Sequence, residues 1–201
     1  MSLKLHLGCG SDIKPGWVNI DLDLKNNGTV VHGTDQTTQS INHDLSKGLP
    51  IKDLFGQILT GNISHVYSSH FWEHLTPPEG MKLLRECYEK MERGGYFRIS
   101  LPKTKEAFKA YLEEDYKYFE MLQGWVDSKK DYYEVPAFIN FVDVSMHQFG
   151  EHKHIIDQDK AIKMLQYVGF TQVAEEEFDP DFDLDNPLRR HFSFYVRGYR
   201  L

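Results

Sequence analysis

Leu5-His6-Leu7-Gly8-Cys9-Gly10 closes an apolar run that opens at Leu3, and Asp21 stands at the end of the next such run, from Trp17 to Ile20. Glycines after a strand let the chain turn tightly and bring backbone N–H groups against a ligand. A carboxylate at the tip of the adjacent strand can accept both hydroxyls of a ribose. Together they point to a ligand that contains a nucleoside.

Outward from that turn, strand-like and helical stretches alternate, the pattern of a layered α/β sheet. Further strands are expected near Ile41–His43, His65–Ser68, Tyr96–Ser100, Gln172–Ala174 and Phe192–Val196. One helix is announced by the capping-box spacing of Thr76 and Glu79, with Pro77 in its first turn and Gly94-Gly95 as its stop. Leu83, Leu84, Cys87 and Met91 recur at helical spacing and supply its buried face. A later helix runs from about Asp157 to Val168 and stops at Gly169.

The 201 residues are expected to form a single domain over 1–201, with an inserted cap at about 103–150. Residues 108–141 hold ten aromatics, more than twice the chain average of 13%. Such rings suit a cap over the strand ends, where open α/β folds bind ligands, or else a second small core. A composition of 40% hydrophobic and 26% charged residues excludes a disordered tail, a coiled coil and a fibrous repeat. No apolar run reaches the roughly 20 residues of a membrane span, and the N-terminus lacks a signal-peptide pattern. Cys9 and Cys87 alone make no disulfide framework, so a cytoplasmic setting is expected. The net charge of -7 is local, because Glu175 to Asp185 carries seven carboxylates and no base. Asp179, Asp181, Asp183 and Asp185 lack the glycine and closing glutamate of a calcium loop and read as a solvated surface loop. No basic patch and no N-P-P-Y-type segment supports nucleic-acid binding, and Lys103, Lys105 and Lys109 form only a modest positive run. No membrane partner is expected, and oligomeric state leaves no signal.

The ligand can be narrowed. Gly8-Cys9-Gly10-Ser11-Asp12-Ile13 lacks the third glycine of a dinucleotide site, Pro15 and Gly16 break the helix such a site needs, and Asp12 adds a negative charge near any phosphate. A phosphate-free nucleoside fits better, and S-adenosylmethionine is the common one.

The wider arrangement resembles the class I S-adenosylmethionine-dependent methyltransferases, and more narrowly their small type 11 group. The pieces are LHLGCG, PGWVNIDLD, HDLSKGLP, HVYSSHFWEHL, GGYFRISLP and HKHIIDQDKAIKMLQYVGF, in the family's order over residues 3–170. The resemblance implies a Rossmann-like, seven-stranded, mostly parallel sheet with its last strand antiparallel and helices on both faces. It places Gly8, Cys9 and Gly10 on the methionyl part of the cofactor, Asp21 on the ribose and Asp44 on the adenine amino group. Leu45 would lie beside the ring, Ser69 would complete the wall, and Leu7 and Leu22 would flank these contacts. Three departures stand out: His6 at the family's acidic position, an abbreviated first helix, and Lys103 where V-P-D is usual.

Methyl transfer to a hydroxyl needs the nucleophile aligned and its proton removed, and histidine is the natural base near neutral pH. His70-Phe71-Trp72-Glu73-His74 follows the fourth strand. In ubiquinone-type O-methyltransferases similar residues hold a divalent metal, so the resemblance admits a metal on His70, Glu73 and His74, although none is assigned. The H-x-x-E-H match to metalloproteases fails because Thr76-Pro77-Pro78 cuts short the helix it requires. A second cluster, His147, His152 and His154, includes the family's histidine-lysine pair as His152-Lys153. His70, Glu73, His74 and His152 are therefore the catalytic candidates, against a bracing role for Glu73 and His74 at the following helix. Cys9 reads as a packing residue. The expected function is methyl transfer to an oxygen or nitrogen of a small-molecule or glycan acceptor, or else a non-catalytic module that keeps the nucleoside pocket. A nicotinamide oxidoreductase is disfavoured by the missing glycine.

Overall fold

A computed structural model describes residues 2–22, 24, 30–32, 37–50 and 62–201. The strands are β1 (Leu3–Leu7), β2 (Val18–Asp21), β3 (Val30–His32), β4 (Thr38–Asn42), β5 (Ile63–Ser69), β6 (Met91–Pro102), β7 (Thr171–Glu176) and β8 (Ser193–Arg200). The helices are α1 (Pro77–Lys90), α2 (Thr104–Leu112), α3 (Tyr116–Phe119), α4 (Gln123–Ser128), α5 (Lys130–Tyr133), α6 (Ile139–His147), α7 (Gln158–Val168) and α8 (Pro187–Phe192).

All eight strands join one sheet in the order β3-β4-β2-β1-β5-β6-β8-β7. Pairing is parallel from β4 through β6, while β8 runs antiparallel to both β6 and β7. Without β3 this is the Rossmann-like seven-stranded arrangement that the sequence led us to expect; β3 is an antiparallel addition at the edge. Both faces of β1 are covered: Leu5, His6 and Leu7 are all buried. The strand order reverses at β1, between β2 and β5, and a crevice opens there at the carboxyl ends of the strands.

Helix α1 begins as its sequence dictates, with the Thr76 N–H donating to Glu79 Oε2 at 2.8 Å. Leu83, Leu84 and Cys87 pack into the main core. The helix stops earlier than Gly94-Gly95, at Lys90, and Met91 already belongs to β6. The glycine pair instead shapes the irregular start of that strand, with Gly94 at φ +83°. Gly169 ends α7 in the left-handed conformation, its N–H bonded to the Gln166 and Leu165 carbonyls.

Residues 103–150 contain α2 to α6, termed the cap below, around a second core of Ala107, Ala110, Phe119, Leu122, Val142, Val144 and Met146. Most of its rings pack against one another, such as Tyr111 stacked on Phe138 and Phe119 tilted against Phe141. Helices of four to nine residues bury little apiece, so large rings are what hold them together.

The acidic stretch is not simply a solvated loop. Asp183 is buried and paired with fully buried Arg98 of β6, through Nε at 3.1 Å and Nη2 at 2.5 Å. Phe182 wedges against Trp17, His65, Tyr67 and Tyr96. Residues 177–186 thus form a strap across the sheet face, which carries Leu184 and α8 toward the crevice. Among the described residues no helix is long and apolar enough to cross a membrane.

Candidate functional site

Between β1 and β2 there is no helix, and the turn is held from beneath by a side chain the sequence reading passed over. Buried Asn19 accepts from the Lys14 N–H at 2.8 Å. Its amide donates to the carbonyls of Lys14, Trp17 and Gln39. A polar residue inside an otherwise apolar strand was the only sequence signal for this role. His6 lies beside it with Nδ1 3.3 Å from Asn19 Oδ1. Since that oxygen accepts, His6 Nδ1 carries the proton. Burial above all, with Lys14 adding, lowers the His6 pKa to about 4, so the ring is neutral.

Gly8 and Gly10 adopt φ +64° and +53°. A Cβ on Gly8 would meet the Phe71 ring at 2.3 Å, so the side chain that follows β5 closes directly over the turn. The Gly8 N–H donates to the Ile20 carbonyl at 2.9 Å, and the Gly10 N–H to Asp21 Oδ2 at 2.8 Å. Above the turn lies a cleft of about 640 Å³. Gly8, Cys9, Gly10, Asp21, Leu22, Asp44, Leu45 and Ser69 all line it. Leu7 does not; it is fully buried in β1, because its side chain points into the core one residue before the turn. Burial pushes the Cys9 thiol up to about 12, in keeping with a packing residue. Asp44 caps the short turn Leu45–Lys47, accepting from the Ser46 N–H and hydroxyl through Oδ1. Ser69 Oγ accepts from Ser100 at 2.9 Å.

The two histidine clusters of the sequence meet as one. The Lys153 N–H donates to the Glu73 carbonyl at 2.8 Å and stitches the segments together. Donor atoms of Glu73, His74 and His152 lie within 4.8 Å of one another. His147 and His154 do not join them; His154 Nδ1 bonds the Leu75 carbonyl instead. Nor does His70 share that convergence: its Nε2 is 2.6 Å from Ser193 Oγ, and its Nδ1 is 3.5 Å from Glu73 Oε1. His152 donates from Nδ1 to the Met146 carbonyl, which leaves a lone pair on Nε2, 3.9 Å from Glu73. Burial pushes the Glu73 carboxyl up to about 8, so it is mostly protonated at pH 7. Burial likewise lowers His152 to about 4 and His70 well below the usual histidine range, with Arg189 and the neighbouring histidines adding to the latter.

A second cleft, of about 240 Å³, lies under the cap. His70, Leu184 and Arg189 line both clefts and form the wall between them. His74 faces the first and His152 the second, whereas Glu73 lines neither. Of the ten aromatics in 108–141, only Trp125 lines the second cleft.

Among solved structures the chain is similar to an S-adenosylmethionine-dependent methyltransferase from Archaeoglobus fulgidus. That match has 15% identity, a TM-score of 0.54, and covers 98% of this chain and 86% of the other. A methyltransferase from Mesorhizobium loti gives 15% identity and a TM-score of 0.56, with 98% and 90% covered. PigF, solved with S-adenosylhomocysteine, gives 13% and 0.52, with 100% of this chain and 50% of that one covered. The fold is the S-adenosylmethionine-dependent methyltransferase fold. No protein-family model matches the chain, and no curated protein does. In this methyltransferase fold the glycine turn sits at the strand-order reversal, and the cap stands over the same end of the sheet.

Proposed function

We propose that the chain is an S-adenosylmethionine-dependent methyltransferase that transfers a methyl group to an oxygen or nitrogen of a small-molecule or glycan acceptor, and that it works in the cytoplasm. The observation that carries this reading is the pair of clefts sharing one wall, one over the glycine turn and one under the cap. A transferase needs its two sites to meet, so that the acceptor's nucleophile reaches the methyl carbon in line as the bond to sulfur breaks.

The first cleft fits the cofactor. Gly10 leaves open space where a side chain would intrude, Gly8 lets the Phe71 ring close against the turn, and Asp21 and Asp44 stand at the ends of β2 and β4. Gly8, Cys9 and Gly10 would hold the methionyl part, Asp21 the ribose and Asp44 the adenine amino group, with Leu22, Leu45 and Ser69 completing the walls. S-adenosylmethionine, when bound, supplies an electrophilic methyl group on a sulfonium.

Among the histidines of the cluster, only His70 lines both clefts, and it is the base of this proposal. Its ring is neutral at pH 7 and so has one unprotonated nitrogen; burial makes that nitrogen a weaker base than a free imidazole, so it takes the acceptor's proton as methyl transfer loosens it. Ser193 at Nε2 and Glu73 beside Nδ1 orient the ring. Glu73, buried and protonated, supports the ring without adding charge. His74 and His152 pack edge to face and complete the support, with His152 on the acceptor side.

Calorimetric titration with S-adenosylhomocysteine, with NADH as control, tests the cofactor. Micromolar binding of the former alone is expected, and Asp21→Ala should abolish it while circular dichroism stays unchanged. Tight binding by that variant would count heavily against the assignment. The neutral His6 at an acidic position favours a second reading, a non-catalytic module that retains the pocket. Turnover of cofactor with any acceptor separates the two.

A further inference from the structure

The lining of the second cleft is lopsided in charge. Ala107, Leu122, Trp125, Val144, Leu188 and Phe192 give it an apolar body. Lys103 and Arg189 line it as well, and among the described residues no aspartate or glutamate does. Neighbouring cations are spoken for: Lys105 pairs with Asp157 and Asp159, Lys109 with Glu113, and Arg190 with Asp185. Lys103 and Arg189 form no ion pair among the described residues. The carboxyl acting on Arg189 is Glu73, which burial keeps mostly protonated at neutral pH.

Cations left unpaired beside an apolar surface are stabilised by an anion that brings its own apolar body. A fork of guanidinium donors matches a carboxylate. The volume of about 240 Å³ is below the usual range for drug-sized ligands and suits a single ring.

We propose that the second cleft binds an organic acid: a small, mostly apolar, single-ring acceptor whose carboxylate is held between Lys103 and Arg189. This rests on the methyltransferase reading for the role of the bound acid as acceptor, but not for its binding. The acid end is held at the cation pair, and the group to be methylated lies toward His70. Lys103, the residue standing where the family's V-P-D would place an acid, thereby sets specificity.

The test is titration of the full chain, with and without S-adenosylhomocysteine, using 4-hydroxybenzoate, 4-hydroxybenzyl alcohol and 4-hydroxybenzylamine as probes. The acid should bind about tenfold tighter than the alcohol, as a charge-assisted contact implies, and the amine most weakly. The preference should shrink in high salt and in Lys103→Gln, and return in Lys103→Arg. Lys103 does not line the cofactor cleft, so S-adenosylhomocysteine should bind Lys103→Gln as it binds the parent. Equal binding of the three probes, a preference for the amine, or no acid binding tighter than about 1 mM would overturn the proposal. The ranking in the unaltered chain decides even if a variant misfolds. Acid binding without any response to S-adenosylhomocysteine would sink the methyltransferase reading and leave the acid site standing. The reverse would sink only the acid site.

Discussion

At Gly8 the backbone is left-handed beneath the Phe71 ring, and both facts bar a side chain. Gly8→Ala must strain the turn or displace Phe71, at a cost of about 1–3 kcal/mol. It should also weaken S-adenosylhomocysteine binding by more than an order of magnitude in calorimetry. Glu73 makes a pH prediction. Its pKa rises from 4.5 unfolded to about 8 folded, so between those values the native state holds a proton that the unfolded state has released. Stability therefore falls with rising pH across that window. Buried His6 and His152, lowered to about 4, act oppositely, adding stability as pH rises to about 6.5. From pH 6.5 to 8 the Glu73 slope is left exposed, at most about 2 kcal/mol in all. Chemical denaturation of Glu73→Gln should show that decline flattened, and an unchanged decline would refute the assignment. The glycine turn and Asp21 were legible because their chemistry is carried by a few consecutive residues. Asn19 was not, since its partners are backbone groups, those of Lys14 and Trp17 brought round by the turn and that of Gln39 brought in only when β2 and β4 pair.

Among the elements, the strap over 177–186 depends on Arg98 and Asp183, both buried. Removing one partner of a buried pair leaves the other charge unsatisfied. Asp183→Ala should lose about 3–5 kcal/mol in urea unfolding. The double variant Arg98→Met, Asp183→Leu should regain part of that loss, and strict additivity would show that the pair does not act as a unit. Leu184 follows Asp183 directly and α8 carries Arg189, so the single variant should also open the wall between the clefts. Composition marked this stretch as acidic and therefore wet; that one of its carboxylates turns inward follows from Arg98, supplied by a distant strand.

For the whole molecule, the sheet and cap have separate cores. Phe119, fully buried in the second, is a direct probe of their independence. Phe119→Ala should cost about 3–5 kcal/mol. In hydrogen exchange the loss of protection should be concentrated in 104–147, with the strands less affected. S-adenosylhomocysteine binding should persist while the organic acid is lost. Equal loss of protection throughout would show instead that sheet and cap open as one.

What the sequence by itself determined was whatever short-range chemistry dictates: strand periodicity around Leu5 and Val66, the Thr76–Glu79 cap, the Gly169 stop, and the glycine turn with Asp21 beyond it. Each is written within a few residues, where backbone preference and hydrogen-bond reach suffice. Tertiary structure alone decided the rest. It joined two histidine clusters into one, turned His70 toward Ser193, and paired Arg98 with a carboxylate 85 residues away. It also set most cap rings against each other, with Trp125 facing the second cleft. Those outcomes follow from which surfaces pack together, and spacing along a chain does not specify distances across a core.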